Sequence, residues 1–189
     1  MKTKNMAILF LLIGLLSFGI SFYLWQKPAS SINGTINVEA ENEMEENKIK
    51  GNDFEDYFID FLHTNSEMIL LSKVSDYYKN GKGAMDNATP DLKMSFLNKK
   101  FAVECKYRSA FTNNKITWAK EYQVKNYIKF EQETGQKVFI AIGIGGTANH
   151  PESIYFVPLY RLSQNFATQD YIQEYKIKDI KECIAILQK

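Results

Sequence analysis

Cysteine and histidine are nearly missing from this chain, at two each in 189 residues. That excludes a disulfide framework and a zinc site of Cys/His spacing. Cys105 and Cys183 fall on predicted apolar stripes, as small core residues do, and their scarcity decides nothing about compartment. His63 closes a predicted helix and His150 precedes Pro151, neither with a neighbour at zinc-ligand spacing. A global charge excess is missing as well: a net charge of +1 is no signature of nucleic-acid binding. Nor is there a phosphate loop. Gly143, Gly145 and Gly146 are followed by no Lys-Ser/Thr and lack the Gly-x-Gly-x-x-Gly spacing, so they read as a strand-end turn.

What is present begins with an uncharged run. Residues 7–25 carry no charge and, as a helix rising 1.5 Å per residue, span roughly the hydrocarbon core of a bilayer, with Tyr23 and Trp25 at an interface. Residues 1–26 are therefore expected to be an N-terminal membrane anchor, with a cleaved signal peptide as the alternative. Lys2 and Lys4 outnumber Lys27, which favours an extracytoplasmic domain on a single-pass anchor. Residues 27–50 contain five glutamates and no apolar period, the pattern of a flexible acidic linker. The folded domain is expected over 51–189.

The chemistry concentrates in residues 89–108. Phe101, Val103, Cys105 and Tyr107 alternate with Ala102, Glu104, Lys106 and Arg108, the period of a strand with one apolar face. Leu92, Met94 and Phe96 alternate likewise, and Asn98-Lys99 is the expected two-residue hairpin turn. With Leu97 opposite Lys100, Asp91 stands across from Lys106 and diagonal to Glu104, and any register of the same parity keeps the three on one face. Two carboxylates there could hold one Mg²⁺, leaving its remaining shell to waters and a phosphate oxygen. Such an ion suits phosphodiester hydrolysis, with Lys106 positioning the attacking water or offsetting transition-state charge.

Around this hairpin, Phe54, Tyr57, Phe58, Phe61 and Leu62 follow a helical stripe, with Asn52 and Glu55 at capping-box spacing. Residues 68–74 read as a buried strand. A turn-rich loop follows and contains Asp86, the alternative acid to Asp91. A helix is predicted over 116–134, ending at Gly135. Strands are predicted over 138–144 and 154–159, the first central, with closing helical structure over 163–189. Between residues 93 and 129 nine basic residues stand against two acidic ones, a local excess of +7. Lys93, Arg108, Lys115 and Lys120 are its phosphate-contacting candidates. Trp118 and Tyr122 could stack on bases, but packing is the simpler role for both.

Pro90-Asp91, twelve residues, then Glu104-Cys105-Lys106 resembles the signature of the PD-(D/E)XK, or restriction-endonuclease-like, nucleases. The resemblance spans roughly residues 51–160. It implies an α/β fold with a mixed central sheet flanked by helices. It also implies a metal-dependent DNA endonuclease in which Asp91 and Glu104 bind Mg²⁺ or Mn²⁺ and Lys106 is catalytic. Glu55 in a first-helix Gly-x-x-Phe-Glu, and Gln123 with Tyr127 in a following Gln-x-x-x-Tyr helix, match further family positions that assist metal or phosphate placement. DNA is the implied partner, RNA stays open, and a homodimer is compatible. The alternative is a non-catalytic nucleic-acid- or protein-binding module of the same fold at the membrane, and a third reading takes the Asp-Glu-Lys cluster as an ordinary cross-strand salt bridge.

Overall fold

The computed structural model describes residues 32–74 and 89–189. Helix α1 (Ile32–His63) comes first, and the compact unit begins within it, spanning Glu46–Lys189. The stretch expected to be a flexible linker is thus helical from Ile32. No proline falls between Pro28 and Pro90, Glu, Ala, Met and Lys are good helix formers, and Glu46 pairs with Lys50 at 2.7 Å four residues on. Asn52 and Glu55 consequently lie inside the helix and form no cap. Among the described residues no helix is long and apolar enough to cross a membrane. The single-pass membrane localisation expected above is corrected on that ground. The span over 7–25 and the alternative acid Asp86 lie outside the described residues.

Among the described residues eight strands follow in chain order: β1 (Met68–Lys73), β2 (Leu92–Phe96), β3 (Lys99–Arg108), β4 (Lys115–Thr117), β5 (Lys137–Ile144), β6 (Ser153–Pro158), β7 (Phe166–Thr168) and β8 (Lys176–Ile177). Six of them form one sheet in the order β1-β2-β3-β5-β6-β8, while β4 and β7 make a separate antiparallel ribbon. Among the described strands only β3 and β5 run parallel, and helix α2 (Glu121–Thr134) is the crossover such a pair requires. The fold is a mixed, mostly antiparallel sheet flanked by helices. As the continuous apolar run predicts, β5 is central and almost wholly buried.

Helix α1 packs its stripe on the sheet, with Phe54, Phe58 and Leu62 fully buried and Phe58 against Phe156 at 5.8 Å between ring centroids. The approach depends on Gly143: a Cβ there would overlap the Phe54 ring. Gly145 and Gly146, at φ 73° and 61°, make the strand-end turn expected of them.

Two elements differ from the sequence reading. The β2–β3 turn is Leu97-Asn98, both left-handed at φ 48° and 64°, and Phe96 pairs with Lys99. Asn tolerates that conformation, and Lys99 stays in the ladder. Residues 116–120 are not helical. Ile116 pairs with Ala167 in the ribbon, a long-range contact that overrides local periodicity, and α2 starts at Glu121. The tail is mixed for the same reason. It contributes β7, a short helix α3 (Gln169–Ile172), the edge strand β8 and helix α4 (Ile180–Leu187).

Candidate active site

Asp91 sits immediately before β2, where pairing with β3 reaches Leu92 opposite Val103. Continuing that register sets Asp91 across from Glu104, and not across from Lys106 as the assumed turn implied. The face is unchanged because the correction moves the pairing by an even number of residues. At this strand end Asp91 Oδ2 accepts the Cys105 backbone N–H at 2.8 Å. Lys106 Nζ lies 2.5 Å from Glu104 Oε1. Glu104 is 1% exposed, and its other oxygen, Oε2, is buried without a hydrogen-bond partner among the described residues.

Electrostatics bind the three residues into one unit. Burial first, then the Glu104 charge, holds the Asp91 carboxyl well above the usual carboxylate range, against the opposing pull of Lys106. Burial works against the Lys106 ammonium, but Glu104 and Asp91 outweigh it and hold the proton more tightly than on a free lysine. Glu55 also raises Asp91 from α1. Glu55 Oε2 pairs with Lys73 Nζ at 3.2 Å, and Lys73 also reaches Asp56 at 2.7 Å. No sequence signal identified Lys73, because strand β1 meets helix α1 only in the folded sheet.

From α2, Gln123 Oε1 accepts the Lys120 backbone N–H at 2.9 Å, which caps the helix and aims its first turn at the site. Gln123 Nε2 lies 3.5 Å from the Tyr127 hydroxyl. Tyr127 is buried, and that burial together with the Glu104 charge pushes its phenol well above the ordinary value. Trp118 stacks on Tyr127 and donates Nε1–H to the Gln164 carbonyl at 2.9 Å, a packing role that leaves no face for a base.

These residues line one cleft of about 1200 Å³, with Glu55, Asp91, Glu104, Lys106, Gln123 and Tyr127 all on its walls. Arg108 and Lys120 line it too, while Lys93 and Lys115 do not. Lys93 Nζ lies 6.0 Å from the Phe130 ring, and Lys115 Nζ lies 5.2 Å from the Phe166 ring on the neighbouring ribbon. Thr147 to Asn149 also line the cleft, and they carry no motif by which the sequence could have marked them.

The donor set fits a hard divalent cation. Two carboxylates are crowded together, one with a buried unpartnered oxygen and the other with its acidity suppressed by the first. A cation between them would relieve both conditions. Among the described residues no group of three or more His, Cys, Asp or Glu gathers to hold a metal. The site is a two-carboxylate one, a set that suits Mg²⁺, which keeps waters and takes substrate phosphate as further ligands.

No known family profile matches the chain, and no curated protein does. Its fold is similar to that of Hjc from Archaeoglobus fulgidus, a Holliday junction resolvase from an archaeal hyperthermophile. The TM-score is 0.50 at 16% identity, over 65% of this chain and 92% of the resolvase.

Proposed function

We propose that this chain is a metal-dependent nuclease that hydrolyses DNA phosphodiester bonds. The observation that carries the reading is the Asp91, Glu104 and Lys106 cluster lining one cleft, with Glu104 Oε2 buried and without a hydrogen-bond partner among the described residues. The fold likeness to a Holliday junction resolvase supports it. A bound Mg²⁺ or Mn²⁺ would polarise the phosphoryl group and lower the pKa of an attacking water.

The chain's own residues do the rest. Asp91 and Glu104 would hold the ion, and the Cys105 N–H fixes the Asp91 carboxylate in place. Lys106, a permanent cation between burial and two carboxylates, donates to the attacking water and offsets the charge that grows on the phosphoryl oxygens. Tyr127, whose phenol feels the Glu104 charge, and Gln123, 3.5 Å from the Tyr127 hydroxyl, face the carboxylates from α2, and Lys120 and Arg108 supply phosphate contacts on the cleft walls.

The test is cleavage of linear and supercoiled DNA by the purified chain with Mg²⁺, with Mn²⁺ and with chelator. Cutting should need the ion and fall by roughly 10²–10³-fold or more in Lys106→Ala while DNA binding persists. A Lys106→Ala protein that cuts at the wild-type rate would overturn the mechanism.

A further inference from the structure

A second groove of about 530 Å³ adjoins the cleft. Arg108 and Thr117 line both cavities, which makes them neighbours, and no acidic residue lines the second. Arg108 stands at the junction. Its Nη1–H donates to the Tyr107 carbonyl at 2.8 Å, and it makes no ion pair among the described residues. An exposed guanidinium without a carboxylate partner among the described residues is suited to a phosphate, which it can grip with two N–H groups.

The groove is also stiff. Asn113 and Asn114, at φ 51° and 59°, form a tight turn closed by reciprocal backbone bonds between Thr112 and Lys115 at 2.9 and 3.0 Å. Asn114 accepts the Gln169 backbone N–H at 3.0 Å and donates to Asp170 at 3.1 Å, which pins the turn to helix α3. Strand β4 is tied to β7 by its ladder, and the Phe166 ring holds the Lys115 ammonium beside the groove. The hydroxyl and amide groups of Thr112, Asn113 and Thr117 complete a lining suited to phosphate oxygens and blind to base identity.

We infer that this groove holds the backbone of the substrate strand on one side of the scissile phosphate, with Arg108 on the phosphate nearest the cleft and Lys115 on one further along. The inference rests on the nuclease reading for the identity of the strand. It assigns the Asn113–Asn114 turn and β4 as a preformed rail that carries sequence-independent contacts out of the catalytic cleft.

Binding measured without metal separates the two ideas. The full chain is titrated in chelator against fluorescent duplex and single-stranded oligonucleotides over 50–200 mM salt, beside Arg108→Gln, Lys115→Gln and, as a remote exposed control, Lys181→Gln. Each groove variant should reduce the slope of log K against log salt by about 0.9 on duplex, or about 0.7 on single strands, for the one phosphate contact it loses. Lys181→Gln should keep the wild-type slope. Wild-type slopes in both groove variants, or no DNA binding at all, would overturn the inference. Reduced slopes in a protein that never cuts would leave the groove standing and remove the nuclease reading. Intact cutting with unchanged slopes would do the reverse.

Discussion

Asp91 has to be ionised to hold a cation, yet it is packed beside Glu104 and within the field of Glu55, with Lys106 as the countercharge. In the metal-free protein this arrangement sets a pH dependence whose sign follows from proton counting. The unfolded chain releases the Asp91 proton in the ordinary carboxylate range, near pH 4, whereas the folded chain releases it only at higher pH. Between those values the folded state binds more protons, so this group's stabilisation is full at low pH and is lost as pH rises through the folded-state value. Asn at 91 keeps an acceptor for the Cys105 N–H and has no proton to lose. Asp91→Asn should therefore melt like the wild type near pH 3 and above it at pH 8 in chelator, measured by thermal denaturation. A variant that melts below the wild type at pH 8 would contradict the crowded-carboxylate account.

At the scale of elements, α1 and β5 make opposite demands on glycine. Gly51 lies inside α1, where a Cβ meets nothing within 4 Å. Gly51→Ala should stabilise the protein by about 0.5–1 kcal/mol, raising Tm by ~1–4 °C. No gain would indicate that the helix does not run through this position. Gly143 has no such room, since its α-carbon lies against the buried Phe54 ring. Gly143→Ala should force Phe54 off its seat and destabilise the fold by roughly 1–3 kcal/mol in denaturant unfolding, as overpacking does. A neutral substitution there would contradict the packing of α1 on the sheet. Both predictions depend on where α1 begins and what it touches. The apolar stripe from Phe54 to Leu62 was legible from spacing, but the helical course of the preceding glutamate-rich stretch was not, because a solvated helix carries no apolar period.

For the molecule as a whole, metal and fold are linked. An ion that binds the folded cluster and not the unfolded chain stabilises by mass action, about 2.7 kcal/mol at a hundredfold excess over its Kd. Millimolar Mg²⁺ should raise the Tm of the wild type, with Asp91→Asn showing little or no rise in differential scanning calorimetry. Equal shifts in the two proteins would place the ion elsewhere. The membrane localisation belongs to this scale too and does not carry forward, since no described helix is long and apolar enough to cross a bilayer.

The sequence alone determined the parts of the site that depend on parity and local spacing. Alternation places Glu104 and Lys106 on one strand face whatever the turn, a four-residue interval places Gln123 and Tyr127 on one helix face, and the Pro90-Asp91 to Glu104 spacing suffices for a hairpin. Tertiary structure decided what depends on meetings between distant segments. Among these are the true register that puts Asp91 across from Glu104, the reach of Lys73 to Glu55, and the capture of Ile116 by β7. The separation of Lys93 and Lys115 from the cleft belongs with them. The physical reason is that local periodicity constrains which face a side chain occupies, whereas its neighbours across a sheet or ribbon are chosen by long-range pairing energies, which leave no pattern in the adjoining residues.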